Sequence, residues 1–397
     1  MTTRREFLGL TSSLALTMGG LCFSNISEAF ALNQAQLFLA LCDTGNPPPL
    51  TPDAVTVTDP GSIRLFNLAS KKVQAIPLPF FGHAVTQNPQ QPNHLVTFEK
   101  WGKRAALVDL RASSIIATAE PLEGNIFFGH AVYTPDGSML INTESADAPS
   151  GGQIVFRDPL TLKIIKTEPS FGRRPHECLI LKNSQTLLVA NEGSGLLTSD
   201  ETDLKNPVLA WIDLQSGRLQ HRTQFIPDGS KNLSDAVSGG YAHILSTFDG
   251  WVICGGAKDI EGSNPVKDKP YAMIAFVSPE GEVFEPELSD DLRTRMRGEA
   301  LSLCVLGESG LAAVTIPAGN MCFIFDYKTQ KLLHVIDTPD GKGAASIPSL
   351  VTGHESFVIS SARGFLKANF GQDGNGDISV FSSDFRGHGS HISLLSI

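Results

Sequence analysis

Apolar residues along this chain come in short runs rich in Val, Ile, Leu and Phe, and each run stops at Gly, Pro, Asn or Asp. Leu95-Val96-Thr97-Phe98, Leu140-Ile141-Asn142-Thr143, Leu187-Leu188-Val189-Ala190 and Phe357-Val358-Ile359-Ser360 are examples. Runs this short, bounded by turn residues, predict β-strands. One segment departs from the pattern. Within Glu285 to Gly298, Leu288, Leu292 and Met296 recur at every fourth position, which predicts a short helix.

The strand text also repeats. Phe80-Phe81-Gly82-His83-Ala84-Val85 is followed 47 residues later by Phe127-Phe128-Gly129-His130-Ala131-Val132, and a third version, Arg174-Pro175-His176-Glu177-Cys178, comes 46 residues after that. With the His as a phase marker, the same slot recurs at His243, Glu299, Ser346 and His391, making seven markers. After each come an apolar strand, a turn and further apolar runs, the third often ending in Asp, as in Ala106-Leu107-Val108-Asp109. A period near 45 residues with this content predicts an all-β fold, a β-propeller with one four-stranded blade per repeat.

Seven markers predict seven blades. The last lies six residues from the C-terminus, which leaves room for an inner strand only. Three unassigned strand-like runs stand at the other end: Gln36 to Cys42, Ser62 to Asn67 and Val73 to Leu78. Pairing the C-terminal strand with these N-terminal strands in one blade closes the ring and leaves no open sheet edge. Residues 32–397 are therefore expected to form a single domain. Departures from the period at Gly193 to Pro207, Pro227 to Gly240 and Lys258 to Pro270 are polar insertions, expected mainly on the face where the inner strands begin.

The first residues carry a different signal. Arg4-Arg5-Glu6-Phe7-Leu8 precedes an apolar stretch that ends in Ala29-Phe30-Ala31, a small-x-small cleavage site. Paired Arg before Phe-Leu reads as a twin-arginine export signal over residues 1–31, so the expected location is the periplasm. Proteins taking that route are exported folded, often with a cofactor in place. Beyond it no run approaches the roughly 20 apolar residues a membrane span needs. The formal net charge of −10 and the absence of a basic patch argue against nucleic-acid binding. The Cys residues after the signal, Cys42, Cys178, Cys254, Cys304 and Cys322, sit inside strand-like runs without a Cys-x-x-Cys pair, and are expected to be buried free thiols. A monomer is expected.

The markers carry the candidate chemistry. Each opens an innermost strand, so equivalent positions form a ring at one mouth of the axial channel. Five of the ten His in the chain stand there: His83, His130, His176, His243 and His391. Neutral imidazole is a ligand for iron, copper, zinc and nickel. Glu299 takes one marker position, and Glu177 neighbours His176. Glu99, Glu144 and Glu192 close second strands, on the same face as the ring because first and second strands run antiparallel. These carboxylates can ligate a metal or orient the imidazoles. Arg173 and Arg174 offer an anion-binding alternative at that mouth. A scaffolding role is also open: a repeated polar residue can tie each inner strand to its neighbour, and Ser346 at one marker fits that reading. Asp373 to Asp377 alternates acids like a calcium loop but lacks the required Gly and terminal Glu, and reads as a polar turn. No Gly-x-Ser-x-Gly elbow, phosphate loop or dinucleotide fingerprint is present.

The twin-arginine signal, the blade count, the paired Phe-Phe-Gly-His-Ala segments at His83 and His130, and Arg-Pro-His-Glu at His176 together resemble the bacterial domain-of-unknown-function family 1513. That resemblance covers nearly all of the chain after residue 31. It implies a periplasmic propeller associated with iron uptake, and hence periplasmic iron-uptake proteins as partners; it brings no catalytic residues. The His ring is also similar in placement to the copper-bearing propeller of nitrous oxide reductase.

The leading expectation is a periplasmic propeller that binds iron or copper, or a metal-bearing ligand. His83, His130, His176, His243 and His391 would be its ligands, with Glu299 and Glu177 in support. Two further classes stay open: a lactonase-like or dehydrogenase-like enzyme using the same ring, and a scaffold for periplasmic proteins.

Overall fold

The computed structural model describes residues 36–44, 60–146, 151–182, 185–193, 204, 206–224, 239–258, 273–307, 309–348, 355–361, 364–370, 376–382 and 391–397. Residues 1–31, where an export signal is expected, Asp373 and most of the three polar insertions lie outside that set. Within it the protein is all-β. The one α-helix among the described residues is Asp290–Met296, inside the segment where the four-residue spacing predicted it. Ser289 Oγ caps it by accepting from the Leu292 amide at 3.3 Å, and Asp290 and Asp291 face the positive end of the helix dipole. Met296 anchors it in a core that includes Ile253, Phe276 and Phe323.

The strands form antiparallel four-stranded sheets, except that two consecutive repeats merge into one eight-stranded sheet. Chain order and spatial order agree in every four-stranded sheet but the first. There Leu37–Thr44 pairs on one side with Gly61–Asn67 and on the other with the C-terminal strand Ser393–Ser396. Gln36 and Ile397 exchange both backbone hydrogen bonds at 2.9 and 3.0 Å, fastening this strand to the C-terminal one.

Burial explains the strand text. Second strands such as Leu140–Ser145, Thr186–Asn191 and Leu311–Ile316 are buried on both faces, because neighbouring sheets pack on each side. A continuous apolar run is what such a strand requires. Outer strands alternate instead, as Ser114–Ala119 does, with one face in solvent. The core is thus a series of layers between sheets. Ile141, Ile154 and Phe156 meet Leu187, Val189 and Ile212. Leu188 and Leu209 meet Val252, Cys254 and Val277 in the next layer. Leu39, Leu41 and Phe66 of the first sheet meet Val358 and Phe365 of the last. All five described Cys are free and buried in these layers.

The Asp that ends the third run serves the turn to the outer strand. Asp109, Asp158, Asp213 and Asp326 each accept a backbone N–H two or three residues on, from Arg111, Leu160, Ser216 and Lys328 at 2.7–3.0 Å. Asn67 does the same for Ser70 at 2.7 Å. The repeated acid is an Asx turn and has no part in the site.

Candidate metal centre

Four of the marker His stand on inner strands that carry a β-bulge. The pairing register slips between Gly82 and Val85, between Phe127 and Ala131, between Pro175 and Glu177, and between Tyr241 and His243. The inner strands Leu303–Leu306 and Ala344–Ile347, which carry no His, pair without a slip. A bulge adds one residue to a strand and re-aims a side chain. Here it turns His83, His130, His176 and His243 out of the pleat and towards one another. His391 reaches the same point from the residue pair preceding the last strand.

Close approach of the rings depends on glycine. Gly129 has φ +93°, and a Cβ there would fall 2.6 Å from His83 Cβ. A Cβ on Gly240 would fall 2.4 Å from the Glu192 carbonyl oxygen. The Gly before His130 is thus required both by its backbone angle and by its neighbour. Phe127 fills the layer behind, edge-on to Phe98 at 5.0 Å, and Phe128 lies 6.0 Å from the His176 ring.

The five imidazoles form one cluster. Ring centroids of His83 and His130, His176 and His243, His130 and His391, and His243 and His391 are each 4.7 Å apart, and those of His83 and His391 are 4.6 Å apart. Donor nitrogens of His83, His130 and His176 lie within 4.8 Å of one another, and so do those of His130, His243 and His391. His83 Nε2 and His391 Nε2 are 3.1 Å apart. Two nitrogens on one tetrahedral ion with ordinary zinc–nitrogen bonds stand about 3.3 Å apart. The cluster can therefore close on an ion with little movement.

Electrostatics favour the lone-pair form. Burial pushes the pKa of His83, His130, His176 and His391 well below the ordinary imidazole value, and each neighbouring His adds to the shift. Glu177 sits between two of the rings, with Oε1 3.5 Å from His130 Nδ1 and Oε2 3.4 Å from His243 Nδ1. It also accepts the Ile244 amide at 3.0 Å. Burial works against its charge, but His130, His243 and that amide outweigh it and hold the carboxyl below its usual range. Glu192 Oε1 lies 2.7 Å from His176 Nδ1. Burial raises the Glu192 carboxyl, with Arg174 and Lys100 opposing. Carboxylates at Nδ1 select the tautomer that leaves Nε2 free to ligate. The carboxylates near Nδ1 of His176 and of His243 stand at ion-pair distance without hydrogen-bond geometry, and Nε2 of His130 and of His176 is buried with no hydrogen-bond partner among the described residues. A buried polar atom left unpaired is costly, so these nitrogens point to a ligand.

The scaffolding alternative fares differently. Neighbouring sheets are tied by hydroxyls: Ser393 Oγ donates to the Val85 carbonyl at 2.6 Å and Thr86 Oγ1 to that of Ala131 at 3.0 Å between inner strands, and Thr143 Oγ1 of a second strand to that of His176 at 2.9 Å. Among the described residues, no marker imidazole bonds a neighbouring strand's carbonyl, although His83 and His391 bond each other at 3.1 Å.

The carboxylates expected around the ring divide. Glu177 and Glu192 reach the imidazoles. Glu99 instead forms an ion pair with Arg104, and Glu144 a fully buried one with Arg157 at 2.7 Å, so neither takes part. Both face arginines of their own sheets, which sequence periodicity does not reveal. Glu299 is not within ligating reach of the cluster among the described residues; its Oε2 accepts the Ala318 amide at 3.1 Å. Ser346 sits half-buried on its inner strand. Arg174 meets Glu192 at 3.4 Å. Sequence reasoning missed Lys100, which acts electrostatically on His83, His176 and His391.

Layered antiparallel sheets around an inner histidine cluster define a β-propeller, and solved structures agree. The periplasmic gluconolactonase of Pseudomonas aeruginosa matches with a TM-score of 0.56 and 12% identity, over 90% of this chain and 99% of that one. Kuenenia stuttgartiensis hydrazine synthase matches with a TM-score of 0.55 and 11% identity, over 81% and 90%. The Cps50 (Swd1) β-propeller domain of Myceliophteria thermophila matches with a TM-score of 0.54 and 10% identity, over 94% and 100%. At these identities the likeness is one of fold. The chain belongs to the family described as "Protein of unknown function (DUF1513)", whose model matches residues 76–379. No curated protein matches it. Among the described residues, no helix is long and apolar enough to cross a membrane.

Proposed function

We propose that the protein is a periplasmic, seven-bladed propeller whose His cluster binds a transition metal, iron or copper, and that it serves in handling that metal. The eight-stranded sheet then counts as two blades, and the pairing of Leu37–Thr44 with Ser393–Ser396 closes the ring. The observation that carries the metal reading is the set of buried ring nitrogens without partners, on imidazoles held neutral. His83, His130, His176, His243 and His391 would supply the ligands, while Glu177 and Glu192 orient three of them. Imidazole donors suit copper best among the divalent first-row ions, and also suit iron, zinc and nickel. Periplasmic export rests on the Arg4-Arg5 signal, and iron-uptake proteins as partners rest on the family resemblance.

The test is metal content by plasma mass spectrometry on protein exported to the periplasm, beside a His83/His130/His176 triple Ala variant. Near-stoichiometric iron or copper in the parent alone supports the reading. No metal in either, with both folded, overturns it.

A further inference from the structure

The cluster does not account for Lys100. The strand His94–Gly102 pairs with its own sheet as far as Phe98, opposite Ala105. It then crosses to the next inner strand, with Lys100 opposite Phe128 and Gly102 opposite Phe127, two and three residues from His130. That crossing merges the two repeats into one sheet. It also brings an ammonium group to the histidines, with Lys100 Nζ 4.9 Å from the ring centre of Trp101, itself 55% exposed. Lys100 thus pairs with Phe128, whose ring lies 6.0 Å from that of His176.

Among the described residues, Lys100 Nζ makes no hydrogen bond and no ion pair, although Glu192, Glu299 and Glu177 all act on it. Those carboxylates are directed elsewhere: Glu177 to His130 and His243, Glu192 to His176 and Arg174, and Glu299 to the Ala318 amide. A cation in this position repels a bound metal. The repulsion is relieved when an anion lies between the two.

We infer that the site takes a small monoanion together with the metal, a carboxylate or inorganic oxyanion ligating the ion through one atom and accepting a hydrogen bond from Lys100 through another. This rests on the metal-binding reading. Lys100 is the group that distinguishes an anion-receiving centre from a closed structural one, whose ligands would come from the protein alone.

Azide serves as the probe, titrated into the full chain loaded with Cu(II) and followed by its charge-transfer absorption. Lys100→Met keeps the apolar stem and removes the charge; Lys100→Arg keeps the charge. The expected result is copper retained in all three proteins, with azide bound by the parent and by Lys100→Arg, and weakened about tenfold or more in Lys100→Met. Equal azide affinity in Lys100→Met, or a copper-loaded parent that takes no azide, overturns the inference and leaves the metal site standing. A parent that takes no copper overturns the metal reading itself. Should Lys100→Met fail to fold, selective Lys acetylation of the parent replaces it. Azide affinity that falls on acetylation with copper content unchanged supports the inference, and unchanged affinity overturns it.

Discussion

His83 and His391 are separated by 308 residues in the chain and 3.1 Å in space, nitrogen to nitrogen. One of the two Nε2 atoms must carry a hydrogen for this contact to hold, and an ion taken up between them would need both lone pairs. Metal loading should therefore turn one of these rings to its other tautomer. Nitrogen-15 NMR of the His side chains with and without a diamagnetic ion such as Zn(II) would read this directly. Unchanged tautomers at both residues would count against ligation by the pair.

His130 belongs to both sets of donors that lie within 4.8 Å of one another, whereas His83 and His243 belong to one each. His130→Ala should abolish stoichiometric metal. His83→Ala or His243→Ala should weaken binding and leave three imidazoles grouped. Equilibrium dialysis across the three variants checks the ranking.

Glu177 faces the Nδ1 atoms of two rings. Glu177→Gln preserves shape and removes the anion that orients them. Metal affinity should fall about 10- to 100-fold, the usual consequence of losing a carboxylate behind ligating His. Competition against a chelator of known affinity provides the measurement.

Acid should destabilise the metal-free protein. The folded-state pKa of His83, His130, His176 and His391 is depressed, so below the unfolded value near 6.5 the unfolded chain binds more protons. Stability is complete above about pH 6.5 and is lost as pH falls from there towards the folded values, by up to about 1.4 kcal/mol per pH unit for each such imidazole. Thermal denaturation from pH 7.5 to 5 should show the midpoint falling only below about 6.5. A fall already complete by pH 7 would contradict neutral, buried rings.

Two substitutions separate structure from site. Gly129→Ala sets a Cβ 2.6 Å from His83 Cβ at φ +93°, and should cost about 1–3 kcal/mol or more while displacing His83 and lowering metal content. Glu144→Gln leaves buried Arg157 without its counter-ion and should cost about 3–5 kcal/mol, yet leave metal stoichiometry unchanged in the folded fraction. Denaturant titration paired with metal analysis distinguishes the two patterns.

What the sequence determined by itself is whatever local pattern encodes. Strand runs such as Leu187-Leu188-Val189-Ala190, the turn-forming Asp109 and Asp213, the helix around Leu292 and the partnership of the chain ends all follow from periodicity and from counting repeats, because each repeat obeys the same short-range rules. The recurrence of His83, His130, His176, His243 and His391 in one phase was equally legible. Tertiary structure alone decided their convergence, since a bulge turns the side chain in the four inner strands of His83, His130, His176 and His243, and a bulge depends on pairing with another strand. It also decided which carboxylates serve the site. Glu99 and Glu144 share the strand-end position of Glu192, but their carboxylates pair with Arg104 and Arg157, whereas that of Glu192 reaches His176 as well as Arg174. Lys100 was invisible for the same reason: its role arises where a strand leaves its own sheet for the next, and the energy of that crossing is not a property of any single segment.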